Sequence, residues 1–297
     1  MRLLILYHQT APRHVMYLRR LAANMEAEGH VLYGPQCKDF EAERPIEEVI
    51  KACVPVDGIL VMEPKFARWL LPLKSLKIPK ALILSDYYPR KQGWQQTHLR
   101  LDLDRYDLVF AQTLYEFRAF RENGRKERVI YLPMSVDTTY FTDQKLARDI
   151  DVMACWGMNP AVYPHRRAVR DKLAQLNCKI SLRQVFYGEY VTALNRAKIF
   201  VNSGTVFRNI QSRFTEVMAC GCLLISNNVD DAHIQGFRPG HHFVTYKSLR
   251  ELVRQINYYL KWGAERERIA RNGQEHVIAK HSNRIRIKEI TQIMERI

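Results

Sequence analysis

Short apolar runs punctuate this chain, and helix-period stretches separate them. Leu3–Leu6, Val31–Tyr33, Gly58–Val61, Ala81–Leu84, Leu108–Ala111 and Val129–Leu132 each read as a short strand. The first is apolar throughout, as a strand buried on both faces requires. A polar loop from His8 to Arg13 follows, then a helical pattern from about His14 to Glu28 that stops at Gly29. Strands alternating with helices imply βαβ units and a mostly parallel sheet. This predicts one doubly wound α/β domain over residues 1–135.

Residues 133–149 are weakly periodic and contain turn formers, so they read as a linker. A second alternating series follows, with Asp151–Cys155, Cys178–Leu182, Lys198–Asn202 and Cys222–Ser226 as strands and a helix from about His165 to Gln175. Toward the C-terminus the pattern is helical, with Leu249, Leu252, Val253, Ile256 and Leu260 at core spacing. A second α/β domain is therefore expected over 150–280, and a C-terminal helix, 281–297, packing back toward the first. No internal repeat or low-complexity tract interrupts the series.

The 297 residues are 47% apolar and 26% charged, the balance of a soluble globular protein. No apolar run nears the ~20 residues that span a bilayer, and the N-terminal apolar stretch is too short for a secretory signal. Six cysteines (Cys37, Cys53, Cys155, Cys178, Cys220, Cys222) lie in apolar contexts without a C-x-x-C pair, which reads as reduced thiols in the cytoplasm. The net charge is +15, and residues 151–297 hold 23 Lys and Arg against 12 Asp and Glu. Such an excess suggests an anionic partner: nucleic acid, an acidic membrane surface or a phosphorylated ligand. Composition does not choose among them. No G-x-G-x-x-G follows the first strand and no G-x-x-x-x-G-K-[ST] occurs, which argues against an NAD enzyme and a P-loop NTPase.

Ligands of open α/β sheets lie beyond the carboxyl ends of the strands. That points to His8–Arg13, Glu63, Asp86–Arg90, Gly157–Arg167, Asn202–Arg213 and Asn227–Asp231, and, with two domains, to a cleft between them. The segment Ser212–Ser226, SRFTEVMACGCLLIS, is the most informative. Ser212 is a candidate N-cap, Gly221 stops the short helix, and a buried strand follows. The free N–H groups and dipole of a helix start attract anions, and Arg213 adds a cation there. The same residues also describe an ordinary amphipathic helix with Glu216 in solvent.

"RFTEVMACGCLLIS", the Gly236…Gly240…Tyr246 loop and "YYLKWGAERERIARNGQEHVIAKHS" together resemble the C-terminal half of GT-B glycosyltransferases. The likeness is greatest to the group-1 type and its spore-maturation CgeB-like branch. "YDLVFAQT…VIYLPMSVDTTYF" is similar to the passage into their inter-domain linker, and "DIDVMACWG…HRRAVRDKL" looks like the first βα unit of their donor domain. The resemblance covers roughly residues 105–285. It implies two Rossmann-like domains facing across a cleft, closed by C-terminal helices. It further implies transfer of a sugar from a nucleotide-diphosphate sugar to an acceptor hydroxyl, with no metal and no cofactor beyond that co-substrate. Carried over residue by residue, Glu216 holds the donor ribose hydroxyls through charge-assisted hydrogen bonds. Ser212 and Arg213 meet the diphosphate. Arg166 or Arg167, beyond Gly157, neutralises the charge that builds on the leaving phosphate. Group-1 enzymes often carry a second glutamate eight residues before the ribose glutamate. Here that position is Arg208, which leaves sugar recognition and retention of anomeric configuration open.

Catalytic candidates in the first half are His8, whose imidazole suits proton removal from a hydroxyl, and Asp86, beside Tyr87 and Tyr88. A loop histidine and a turn-forming aspartate are the alternatives. Asp102-Leu103-Asp104 spells D-x-D but precedes a strand in a charged helical segment, and His241-His242 lacks ligand partners, so no metal site is expected. Basic residues between 264 and 288 (Arg266, Arg268, Arg271, Lys280, Arg284, Arg286, Lys288) suit either anionic lipid near a lipid-linked acceptor or plain solvated helix faces. Two further readings stand beside sugar transfer to a glycan or lipid. One is a transferase that modifies nucleic acid; the other is a non-catalytic nucleotide-sugar-binding protein. The expected location is the cytoplasm, with or without peripheral contact at the inner face of the membrane.

Overall fold

Leu3, Ile5 and Tyr7 of β1 (Leu3–Tyr7) face one hydrophobic cluster, and Leu4 and Leu6 face another. Side chains alternate along a strand, so a wholly apolar strand feeds two cores. The computed structural model describes residues 1–7, 16–41, 44–62, 73–84, 103–122, 128–227 and 229–297. The chain divides into two units, Met1–Met134 with Asn283–Ile297, and Ser135–Ser282.

The first unit holds a parallel sheet of β1, β2 (Val31–Tyr33), β3 (Gly58–Met62), β4 (Lys80–Leu84), β5 (Leu108–Ala111) and β6 (Val129–Tyr131), in the order β2-β1-β3-β4-β5-β6. Helix α1 (Met16–Ala27) places Leu18, Leu21 and Met25 in one cluster. Helices α2 (Ile46–Ala52) and α3 (Leu114–Glu122) give Ile46, Val49 and Phe120 to the other. Thr113 and Glu116 close a capping box at the start of α3. Thr113 Oγ1 accepts from the Glu116 N–H at 3.1 Å, and the Thr113 N–H donates to Glu116 Oε2 at 3.2 Å.

The second unit's sheet is also parallel: β7 (Ile150–Met153), β8 (Ile180–Ser181), β9 (Ala197–Asn202), β10 (Leu223–Asn227) and β11 (Val244–Tyr246), in the order β11-β10-β9-β7-β8. Its helices are α4 (Arg166–Ala174), α5 (Tyr187–Arg196), α6 (Ser212–Ala219), α7 (Leu249–Lys261) and α8 (Gly263–Lys280). β8 lies on one side of β7 and β9 on the other, so the strand order reverses between β7 and β9, where open α/β sheets bind ligands. The last helix, α9 (Asn283–Met294), belongs to the first unit, where Ile287, Ile290 and Met294 join Leu18, Leu21 and Met25. Asn283 Nδ2 donates to Asn24 Oδ1 at 2.7 Å.

Two local readings change. The run Cys178–Leu182 supplies a two-residue edge strand, because its residues are at best half-buried and pair on one side. Leu103–Arg105 is a single 3₁₀ turn rather than part of a helix. No helix among the described residues is long and apolar enough to cross a membrane.

α6 is fixed closely in the second unit. A Cβ at Gly273 of α8 would meet the His242 carbonyl at 2.5 Å and Met218 Sδ at 2.9 Å, so the two helices pack through a missing side chain. Gly221 ends α6 with φ +66°. The Arg148 guanidinium donates to the Leu194 and Ala197 carbonyls behind α5 and to the Cys220 carbonyl behind α6, a cation at two helix C-termini.

Behind α6 the histidines form a stack, with His241 and His242 in a turn. The His242 and His276 rings lie 4.4 Å apart, His276 and His281 both pack on Phe237 at 4.7 Å, and both donate Nε2–H to the Gln235 carbonyl. His242 Nδ1 accepts from the Arg238 N–H at 3.1 Å. Burial, helped by His276, His241 and Arg238, pushes His242 down to about 4, and burial lowers His276 as well. The unfolded chain titrates these rings near 6.5 and so binds more protons than the folded one. Their contribution to stability is therefore complete above about pH 6.5 and is lost as the pH falls toward 4. Urea midpoints measured from pH 7 to 4.5 should fall in this range, and His242→Gln should flatten the fall; equal slopes in both proteins would contradict it.

Candidate functional site

β7 and β9 are parallel neighbours, so the chain leaves both at the same end of the sheet. Arg166, the first residue of α4, joins the two departures. It is fully buried. Its Nη1 donates to the Gly157 carbonyl at 2.7 Å, its Nε to the Ser203 carbonyl at 2.8 Å and its Nη2 to Gln211 Oε1 at 3.2 Å. The guanidinium carbon lies 3.3 Å from the centre of the Tyr163 ring and 5.6 Å from that of Trp156. The planar fork suits three acceptors at fixed angles, and its face suits aromatic stacking. Among the described residues no carboxylate pairs with it. Burial, with Arg213 adding to it, lowers its pKa to about 10, so it remains a cation at neutral pH.

Gln211 is also the residue before α6, and its carbonyl accepts from the Phe214 N–H at 2.8 Å. The N–H groups of Ser212 and Arg213 have no acceptor among the described residues, as expected for the first turn of a helix. One turn on, Glu216 is 6% exposed. Burial raises its pKa, against Arg213 and the hydroxyls of Ser212 and Tyr190, which pull it down. The Tyr190 hydroxyl, from α5, stands close enough to act on that carboxylate yet makes no well-formed hydrogen bond. Burial by itself lowers the Arg213 pKa; Tyr190 and Glu216 outweigh it, and the net direction is upward.

The loop from Ser203 to Gln211 is pinned along its length. The Gly204 N–H donates to Asn227 Oδ1 at 2.7 Å, Thr205 Oγ1 to Asn209 Oδ1 at 2.7 Å and the Ile210 N–H to Asp231 Oδ1 at 2.8 Å. Tyr246 donates to the Asn202 carbonyl at 3.0 Å, and burial pushes its phenol up to about 12. Arg208, eight residues before Glu216, has φ 53° and an ion pair to Asp230 at 2.9 Å, half-exposed on both sides. A cation paired to aspartate thus stands where the resembling enzymes often carry a glutamate.

The structure brings Gly157, Arg166, Ser212, Arg213 and Glu216 into one cluster. Arg167 is exposed on α4. His8, Glu63 and Asp86 lie outside the described residues. Tyr163 and Gln211 lie in loops that the sequence pointed to, and Tyr246 in the loop that shares in the resemblance, but none had a role assigned; Tyr190 was not singled out, and the fold alone brings it to Glu216. Among the described residues no three His, Cys, Asp or Glu side chains gather as metal ligands would.

Residues 145–292 match the family model described as glycosyl transferase-like. Solved structures match over both full lengths. The Anabaena protein HepE, in complex with UDP and glucose, superposes with a TM-score of 0.73 at 14% identity, covering 100% of each chain. The fold is GT-B. Sucrose-phosphate synthase from Thermosynechococcus elongatus gives 0.71 at 13% identity, covering 100% of this chain and 99% of that one. An alpha-glucosyltransferase in complex with UDP-glucose and DNA containing an abasic site gives 0.66 at 10% identity over 99% of both. No curated protein sequence matches the chain.

In this GT-B chain, Arg166→Met should lower the unfolding free energy by about 3 kcal/mol, because one buried and two partly buried acceptors lose their charged donor. Arg166→Lys should recover part of that, since an ammonium carries the charge but cannot span Gly157 and Ser203. Urea unfolding of both variants tests this; an unchanged midpoint in Arg166→Met would remove the tie.

Proposed function

We propose that the protein is a glycosyltransferase that moves a sugar from a nucleotide-diphosphate sugar to an acceptor hydroxyl. One observation carries the reading. The start of α6 gathers the buried cation Arg166, the cation Arg213 and the bare helix amides, with Glu216 set one turn back, while Asp230 and Asp231 of the next loop are engaged by Arg208 and by the Ile210 N–H. Positive charge exceeds negative there, and a diphosphate is the ligand that balances it. Glu216 accepts the ribose hydroxyls, and the α6 amides and Arg213 take the phosphates. As the bond from sugar to phosphate breaks, negative charge grows on the leaving phosphate, and fixed donors stabilise it without reorganising. Arg166 acts from behind by holding the Gly157 and Ser203 loops in place, while Arg167, exposed, is available to the leaving group. His8 and Asp86 remain the candidates for the acceptor side. The reading includes metal-independent transfer, retention of configuration and a cytoplasmic setting. The UDP complexes among structures of the same fold support uridine as the base.

Thermal unfolding with UDP, GDP, ADP, CMP and dTDP tests it. A nucleotide at a hundred times its dissociation constant stabilises by about 2.7 kcal/mol, a rise of a few degrees for a chain of this size. UDP should give that rise, and Glu216→Gln should lose most of it while keeping its circular dichroism. Slow hydrolysis of UDP-glucose with no acceptor, unaffected by a chelator, should release α-glucose first. Silence of the whole panel would sink the reading, and β-glucose would remove retention alone.

A second reading keeps the fold and makes nucleic acid the acceptor. The +15 net charge and the DNA complex of a related fold favour it. Its mark would be DNA affinity that falls steeply with salt, together with sugar transfer to that DNA.

A further inference from the structure

The outward face of α7 has an uncommon make-up. Arg250, Arg254, Asn257, Tyr258, Lys261 and Trp262 fall at i, i+4, i+7, i+8, i+11 and i+12, and all six are exposed. Leu252, Ile256 and Tyr259 face inward. Two large aromatic rings one turn apart are thus left in water, Tyr258 at 42% and Trp262 at 52% exposure. Three cations share the stripe with them. Two acids flank the stripe: Glu265 accepts from the Tyr258 hydroxyl at 2.6 Å, and Glu251 accepts from the Lys247 N–H at 2.9 Å and pairs with Arg254 at 3.7 Å, which leaves Arg250 and Lys261 as the stripe's cations without a carboxylate partner among the described residues.

We propose that this stripe docks the protein on an anionic bilayer surface. Tyr and Trp rings suit the headgroup zone, where one part of the ring is apolar and the other wet, and Arg and Lys reach from an apolar stem to lipid phosphate. The charge is complementary to acidic lipid, and the aromatic pair supplies the apolar contact that charge alone lacks. A nucleic-acid strand fits less well. Base stacking needs an open ring face, whereas Lys261 Nζ sits 5.5 Å from the Trp262 ring centre and the Tyr258 ring lies 6.4 Å away, tilted against it. Of the basic residues beyond 264, Arg266 donates to the Tyr259 carbonyl at 3.0 Å, Arg268 pairs with Glu265 at 3.8 Å, Arg286 is buried against Glu289, and α9 belongs to the other unit. None of the six stripe residues is a partner of Glu216 or Arg166, so the stripe does not depend on the donor chemistry proposed above.

The test is co-sedimentation of the full chain with vesicles of phosphatidylcholine alone and of phosphatidylcholine mixed with phosphatidylglycerol, with single-stranded DNA as a parallel arm. Two variants are compared: Trp262→Ser, and the triple Arg250→Gln, Arg254→Gln, Lys261→Gln. The protein should bind the anionic vesicles and not the neutral ones, more weakly as salt rises. One basic residue near an acidic surface is worth about fivefold in partitioning, so the triple variant should lose on the order of a hundredfold. Trp262→Ser, which changes no charge, should lose several-fold. Both variants should keep the UDP-dependent rise in melting temperature, which reports folding and the donor site separately. No binding to anionic vesicles, binding that both variants retain, or variants that lose DNA binding alone would each overturn the proposal.

Discussion

The Arg166 guanidinium is buried with three oxygen acceptors and no carboxylate among the described residues, and the loops beyond β7 and β9 meet through it. Burying a charge without a counter-ion is costly, and carbonyl dipoles aimed at the fork offset part of that cost. The arrangement follows from the sheet. The strand order reverses between β7 and β9, so two loops diverge there and leave a gap that a long planar cation fills. Because carbonyls neutralise the charge incompletely, positive potential remains where α6 begins. The position of Glu216, the pinned loop from Ser203 to Gln211 and the Arg148 cap behind α6 all serve to keep that helix start fixed beside it.

Much of this could be read in the residues. Wholly apolar runs gave strands covered on both faces, and their alternation with helical stretches gave two parallel sheets, because period and length leave little other choice for such runs. Gly221 marked the end of α6, since a positive φ after a helix favours glycine, whereas Ser212, read as the N-cap, is the first helical residue: Gln211 holds the cap position and no side chain closes that end. The part of the candidate site that is local in sequence, Ser212, Arg213 and Glu216 at one helix start, could be read as a cluster. The stack of Tyr163 on Arg166 and the approach of Tyr190 to Glu216 were not, because each joins elements far apart in the chain. The stack on His242 was hidden for a related reason: the partners His276 and His281 come from the far end of α8, and the dipeptide His241-His242 carries no trace of them.

Positive charge occurs in this chain in two physically distinct forms. Arg166 is dehydrated, fixed by hydrogen bonds and close to a helix dipole, so salt screens it little, and Arg213 is partly buried beside it. Arg250, Arg254 and Lys261 are exposed to water, and their interactions fade with ionic strength. A net charge of +15 therefore does not point to one partner. The buried cations suit a small ligand bound in fixed geometry, and the exposed ones suit an extended surface.

The first unit is discontinuous: its sheet is complete by Tyr131, but Leu18, Leu21 and Met25 of α1 are covered by Ile287, Ile290 and Met294 of α9. During synthesis the ribosome must make the entire second unit before that cover exists. The earlier unit therefore waits with an apolar helix face uncapped, while the later one can fold as a continuous segment. The order in which the units are encoded is thus the reverse of the order in which they can be finished.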